Sequence, residues 1–138
     1  MSLTVVVQPH PVLDAGAFVC RLDRDLSTVT SPSTLSPHAP SPLNSSDAVK
    51  TAVRDLLRAG GFKPAGRSKP ASEYLTGALA EGRFPTINAL VDACNVASLH
   101  SGLPISLVDL DLVDGALTIQ IAPPGTSYPF NPTGQVID

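Results

Sequence analysis

Three polar side chains recur at helical spacing in the second half of the chain and are suited to a chemical role. Asn88, Asp92 and Asn95 fall within about 60° of one another on a helix that turns 100° per residue. Carboxamides and a carboxylate are costly to bury without partners, so this row either braces neighbouring loops or lines a pocket. We expect Asn88 and Asp92 to brace and Asn95 to line a pocket.

Other reactive residue types lack the settings that catalysis or metal binding needs. Cys20 and Cys94 are too far apart in sequence for a zinc knuckle or a disulfide scaffold, so we expect two reduced, buried thiols. Cys94 falls on an apolar helix face, which favours an inert thiol. No serine lies in a nucleophile elbow. Asp109, Asp111 and Asp114 lack the closing acidic residue of a calcium loop, so neither metal nor cofactor is expected.

The positive charge of the chain is local. Nine Lys and Arg stand against twelve Asp and Glu, and the net charge of −3 does not favour polyanions in general. Lys63, Arg67 and Lys69 surround a Gly/Pro turn, where contact with RNA phosphates and a simple solvated loop are both plausible. Arg54 and Arg58, spaced i and i+4, indicate a solvated helix face. DNA is not an expected partner.

Hydrophobic periodicity and capping residues predict the elements that position these side chains. Helices are predicted at 47–59, 70–80 and 86–100, and strands at 3–7, 15–22, 105–113 and 116–122. Asp114 and Gly115 are typical of a hairpin turn between the last two strands. This order predicts an α+β fold, with three helices packed on a mostly antiparallel sheet. The third helix is expected to bury a face made of Ile87, Leu90, Val91, Cys94 and Ser98.

The length of 138 residues predicts a single domain over 1–138. Segment 27–46 is rich in Ser, Thr and Pro and has too little apolar surface to offset the entropy of ordering it, so it is predicted to be a flexible insertion. The chain has neither a run of about 18 apolar residues nor a signal-like start. We therefore expect a cytoplasmic protein that has no contact with a membrane.

Residues 68–111 carry a recognisable set of motifs. They contain S-K-P-A-S-E-Y-L, then the pattern I-N-x-x-V-D-x-x-N, followed by G-L-P and D-L-D. This stretch resembles the tRNA-binding and editing module of the phenylalanyl-tRNA synthetase beta chain, the B-three/B-four domain. It is more similar to the free-standing relatives of that module. The likeness extends more loosely through Gly115 to Ile121.

The resemblance implies an α+β fold with a cleft in which a mischarged aminoacyl ester is hydrolysed. On this likeness Asn95 corresponds to the asparagine of the family's site, and Cys94 replaces a threonine. Ser106 takes the place of the family's editing histidine, and a serine does not orient water as an imidazole does. Backbone amides near Gly102 would help to place the substrate and the water.

Two functions from different classes stay open at this point. The first is a free-standing hydrolase that binds tRNA and clears misacylated aminoacyl-tRNA in trans. The second is a noncatalytic RNA- or ligand-binding module that has kept the fold and lost the editing chemistry. Aminoacylation is not expected, because the chain carries none of the synthetase's ATP motifs. The expected partner is tRNA or aminoacyl-tRNA.

Overall fold

The computed structural model describes residues 3–137, apart from the side chain of Arg67. Within this range lie three α-helices and four short strands. In chain order they are β1 (Val5–Val7), α1 (Asp47–Ala59), α2 (Ala71–Ala80), α3 (Ala89–Ser101), β2 (Leu117–Ile119), β3 (Tyr128–Pro129) and β4 (Val136–Ile137). Single 3-10 turns lie at Leu26–Thr28, Gly66–Ser68 and Leu110–Leu112. The α+β class predicted from the sequence is confirmed.

Helices α1 and α2 begin and end within one residue of their predicted bounds. The Ser46 side chain accepts a hydrogen bond from the Val49 N–H and so caps α1, as its residue type favours. Helix α2 follows Pro70, which gives the first turn no side-chain cap, and it buries Ser72, Leu75 and Ala78. Both helices therefore arise from local signals.

Helix α3 begins at Ala89, three residues later than predicted, because Asn88 acts as its N-cap and accepts a hydrogen bond from the Val91 N–H at 3.0 Å. The predicted buried face is also wrong. Ile87 is exposed, and Leu90, Val91 and Cys94 are only half-buried, although Ser98 is buried. The residues of α3 that are buried are Ala89, Asp92, Val96 and Ser98.

The sheet differs most from expectation. Strand β1 pairs with β2 in parallel, with Val6 opposite Thr118, and β3 pairs with β4 in antiparallel fashion. The predicted hairpin at 114–115 is not formed, because β2 finds its partner near the start of the chain. The prediction of a mostly antiparallel sheet under the helices is also wrong. The described strands form two separate sheets of two strands each, and one of these sheets is parallel.

Two predicted strands are absent from the described residues. Segment 105–113 contains a 3-10 turn in its place, because the Asp109 carboxylate accepts the Asp111 N–H and curls the backbone. Segment 15–22 alternates in sequence, but nearly all of it is exposed, so neither face has a layer to pack on. Cys20 lies in this segment and is exposed, so its predicted burial is wrong. Both cysteines are free thiols.

The hydrophobic core lies between α2 and α3. Leu75 and Ala78 of α2 and Ala89 and Val96 of α3 are buried, the two helices contact each other, and α1 contributes the buried Val53. This arrangement holds the beginning of α2 and the end of α3 close to the first turn of α1. Among the helices of residues 3–137, none is long and apolar enough to span a bilayer.

Candidate functional site

A surface cavity of about 380 Å³ opens where the first turns of α1 and α2 meet the end of α3. We call it the helix-start cavity. Its polar walls come from two helix beginnings and from the glycine that ends the third helix. The lining residues are Ser45, Ser46, Asp47, Lys50, Val53, Lys69, Ser72, Glu73, Thr76 and Gly102.

Gly102 forms the wall where α3 ends. It has a left-handed backbone with φ of 78°, and its N–H donates to the Ser98 carbonyl, so it closes the helix. A Cβ atom at this position would lie 2.9 Å from Ser45 Oγ and 3.2 Å from Val49 Cγ1. Glycine thus lets the end of α3 lie directly against the start of α1, which shapes the cavity.

The charge in the cavity is set by an ion pair that joins two helices. The Arg54 guanidinium of α1 donates two hydrogen bonds, at 2.6 and 2.7 Å, to the two carboxylate oxygens of Glu73 in α2. These bonds lower the pKa of Glu73, and the ammonium groups of Lys50 and Lys69 lower it further. Because Arg54 already neutralises Glu73, the cavity keeps Lys50 and Lys69 against one remaining carboxylate, that of Asp47.

Ser72 places a hydroxyl in the floor of the cavity. The residue is only 5% exposed, yet no hydrogen bond between described residues involves its Oγ atom. Among the described residues, every polar side-chain atom that is fully enclosed has a hydrogen-bond partner. The Ser72 Oγ atom has no partner, so it is not fully enclosed and is accessible from the cavity that Ser72 lines. A buried hydroxyl that opens into a pocket can donate to or accept from a bound molecule.

The backbone adds donors to the same place. The first N–H groups of a helix have no partner within it, and they carry the positive end of the helix dipole. At α2 no side chain caps these groups, since Pro70 stands at the cap position and the first bonded amide is that of Glu73. Two ammonium groups, a free hydroxyl and uncapped amides together suit an anion such as a phosphate group.

The polar row of α3 is divided by the structure. Asn88 caps the helix, and the buried carboxylate of Asp92 accepts the Ile87 N–H at 2.8 Å, so both side chains serve the start of α3. Asn95 is half-buried and lies outside the helix-start cavity. No hydrogen bond between described residues involves the Asn95 side chain.

The remaining sequence candidates are spread over the molecule. Gly102 and Lys69 line the helix-start cavity, whereas Lys63 and Ser106 are exposed elsewhere. The side chain of Arg67 lies outside the described part of the chain. Cys94 is half-buried, and burial raises the pKa of its thiol, which disfavours the reactive thiolate.

Sequence reasoning missed Lys50, Ser72 and Glu73 as parts of a site. Lys50 belongs to an ordinary amphipathic helix pattern, and Ser72 is one of many serines. The pairing of Arg54 with Glu73 joins residues 19 positions apart on two helices. One local signal was present: Ser46 and Pro70 mark two helix beginnings, although nothing in the sequence shows that these beginnings meet.

No hydrogen bond between described residues joins a serine or cysteine side chain to a histidine ring. The His100 Nε2 atom lies 3.0 Å from the Pro37 carbonyl oxygen, and His10 Nδ1 accepts the Val12 N–H, so these two imidazoles are engaged with backbone groups. No group of three His, Cys, Asp or Glu residues in the described range is placed to hold a metal ion.

The Arg54–Glu73 pair predicts a pH dependence of stability. Because the folded state lowers the pKa of Glu73, its contribution is complete above the unfolded value of about 4.3 and is lost as the pH falls through the folded value. We expect the Glu73→Gln variant to be less stable than the wild type at pH 7, with the difference shrinking as the pH falls through the lowered pKa of Glu73 in the folded state.

Urea unfolding at a series of pH values measures this effect. The control is Asp55→Asn, which removes a carboxylate from the exposed Asp55–Arg58 pair and should change stability little at any pH. A loss of stability in Glu73→Gln that stays the same across the whole acidic series would show that packing, and not charge, connects the two helices.

Comparison of this chain with protein-family models, with curated proteins and with solved structures finds no match.

Proposed function

We propose that this chain is a noncatalytic RNA-binding module that holds tRNA through a phosphate group in the helix-start cavity. The observation that carries the proposal is the convergence of Lys50, Lys69 and the free Ser72 hydroxyl at two helix beginnings. Lysine ammonium groups and helix N-termini are the usual protein contacts of nucleic-acid phosphates. The resemblance of residues 68–111 to a tRNA-binding module supports RNA as the polyanion.

The serine at position 106, where the family has its editing histidine, supports binding over hydrolysis. Ser106, which takes the place of the family's editing histidine, is exposed and lies outside the helix-start cavity. Asn95 lies outside this cavity too, so the resemblance and the cavity point to different surfaces. Among the sequence candidates, Lys69, proposed from the basic loop, and Gly102, proposed from the resemblance, line the cavity.

We expect the double variant Lys50→Gln/Lys69→Gln to bind tRNA about tenfold more weakly than the wild type at low salt. Each lysine that neutralises a phosphate releases condensed counterions, so the slope of log K against log salt should fall by about 1.4 to 1.8. Fluorescence anisotropy of labelled tRNA at several salt concentrations measures both quantities. Glutamine keeps most of each side chain's length, so the fold should persist.

The matched control is Arg58→Gln/Arg83→Gln. It removes two charges as well, from the last turn of α1 and from the turn after α2, at the opposite ends of the same helices. We expect this variant to retain most of the affinity. Equal losses in both doubles would indicate a diffuse charge effect and contradict a defined site.

Further measurements separate this proposal from a site on α3, from a hydrolase and from a contact in the basic loop. If Asn95→Ala weakens tRNA binding and the lysine double does not, the site is on α3, as the family resemblance implies. If the wild type deacylates tyrosyl-tRNA or phenylalanyl-tRNA, the noncatalytic part of the proposal is wrong. Loss of binding only in Lys63→Gln would place the contact in the 60–69 loop.

A further inference from the structure

One charged group of the helix-start cavity has no role in holding a phosphate. The Asp47 carboxylate lines the cavity together with Lys50 and Lys69, and Asp47 is exposed to solvent. Lys50 follows it by three positions and so is its neighbour on the surface of α1. Between described residues, however, no ion pair involves the Asp47 carboxylate. This carboxylate is therefore an open acceptor in the wall of the cavity.

Capping of α1 does not use this carboxylate. The Ser46 side chain accepts the Val49 N–H at 3.3 Å, and the Ser46 carbonyl accepts the Lys50 N–H at 3.0 Å. A carboxylate in the first turn interacts favourably with the helix dipole, but this holds at any helix start and needs no cavity. The position of Asp47 in a cavity with two lysines thus calls for a second explanation.

A carboxylate constrains what a bound molecule presents to it. An ionised carboxylate only accepts hydrogen bonds, and it repels a phosphate group. The part of the ligand that meets Asp47 must therefore be a donor that lies close to the phosphate. In a polynucleotide this donor is the 2′-hydroxyl of ribose, which is on the carbon next to the one that carries the 3′-phosphate. Amino groups of the bases lie on the far side of the sugar from that phosphate.

The cavity offers both contacts at a matching separation. Its volume of about 380 Å³ falls in the range of about 300 to 1,000 Å³ that is typical of pockets for whole small molecules, so a sugar fits beside a phosphate. Asp47 and Lys50 are three residues apart, which is a rise of about 4.5 Å along α1. Neighbouring groups of one nucleotide can thus reach both side chains.

We infer that Asp47 accepts a hydrogen bond from the ribose 2′-hydroxyl beside the bound phosphate, so that the helix-start cavity selects RNA over DNA. The phosphate is the one that Lys50 and Lys69 hold in the proposed function, and the selection rests on that function. Acidic side chains bind ribose hydroxyls in nucleotide sites, and the 2′-hydroxyl is the group by which a protein distinguishes RNA from DNA. The carboxylate thus lowers the affinity for any phosphate and recovers it for a ribonucleotide.

Three single-stranded oligonucleotides of one sequence test the selection. A sequence of adenine and cytosine has the same bases as RNA, as DNA and as 2′-O-methyl RNA, and the last of these keeps the 2′ oxygen but loses its hydrogen. Fluorescence anisotropy at low salt should show that the wild type binds the RNA about tenfold more tightly than either analogue, the usual effect of one hydrogen bond to a charged group.

Substitutions at Asp47 assign the preference to its carboxylate. Asp47→Ala should bind all three oligonucleotides with similar affinity, and its affinity for DNA should equal or exceed that of the wild type because a repulsive charge is gone. Asp47→Asn keeps an acceptor and should retain part of the preference. The matched control is Asp55→Ala, which removes a carboxylate of the same helix outside the cavity and should leave the preference unchanged. Loss of a purely structural acid would lower the melting temperature without changing the ratio of RNA to DNA affinity.

The contrary results are distinct. Equal wild-type affinity for RNA and DNA, or a preference that Asp47→Ala keeps, overturns the selection by Asp47 even where the lysine double variant loses tRNA as expected. A preference over DNA but not over 2′-O-methyl RNA overturns it too, because the shape of the sugar and not its hydroxyl would then be recognised. So does binding of tRNA without binding of the RNA oligonucleotide. If Lys50→Gln/Lys69→Gln binds tRNA as tightly as the wild type, the proposed function fails as well.

Discussion

Replacement of Leu75 with alanine is expected to lower the free energy of unfolding by about 3 kcal/mol, within the range of about 2 to 5 kcal/mol typical of buried leucines. Leu75 is 3% exposed and lies at the contact of α2 with α3. The described residues contain few other buried apolar side chains, and Leu75 is the largest of those named as core, so it supplies a large share of the apolar surface that the helices bury.

Urea denaturation followed by circular dichroism measures this loss. The matched control is Leu112→Ala, the same substitution at a side chain that is 84% exposed. The control should change the free energy of unfolding by less than about 0.5 kcal/mol. If the two variants were equally stable, the core could not lie between α2 and α3.

The second large effect is expected at the wall of the helix-start cavity. Gly102→Ala should lower the free energy of unfolding by about 2 kcal/mol, because a left-handed backbone costs a Cβ-bearing residue about 1 to 2 kcal/mol. The new Cβ would also meet Ser45 Oγ at 2.9 Å and push the start of α1 away from the end of α3. The same displacement would open the cavity and weaken ligand binding.

Two controls separate backbone strain from the close approach. Gly82→Ala places a Cβ at another left-handed helix end, with φ of 67° and no atom within 4 Å, so it should show the strain alone. Ser45→Gly in the Gly102→Ala background removes the nearest contact and should recover part of the stability. If Gly82→Ala and Gly102→Ala lost the same free energy, the contact with Ser45 would contribute nothing.

The sequence by itself determined the helices. Helix α1 was predictable because Ser46 caps it and its apolar residues recur at helical spacing, and both signals lie within one segment. The bounds of α2 follow from Pro70 and Gly82 in the same way. Helix α3 was found, but its start was misplaced by three residues, because the Asn88 side chain caps the helix and the predicted first turn at 86–88 is not helical.

Only the tertiary structure determined which strands pair and which side chains are buried. Strand β2 joins β1 across more than a hundred residues, and local turn residues at 114–115 carry no information about so distant a partner. The burial of Asp92 follows from its bond to the Ile87 N–H, which offsets the cost of removing a carboxylate from water. The periodicity argument assumes that the apolar side of a helix is buried. For α3 it therefore predicted burial of the apolar face beside Asp92.

The candidate site shows the same division. Lys69 and Gly102 were identifiable because a basic loop and a glycine after a helix are local features. Lys50, Ser72 and the Arg54–Glu73 pair acquired their roles when α1 and α2 came together, since a distance of 2.6 Å between residues 19 positions apart is set by packing. Local sequence determined which segments form helices, and long-range contacts decided which side chains those helices bring together.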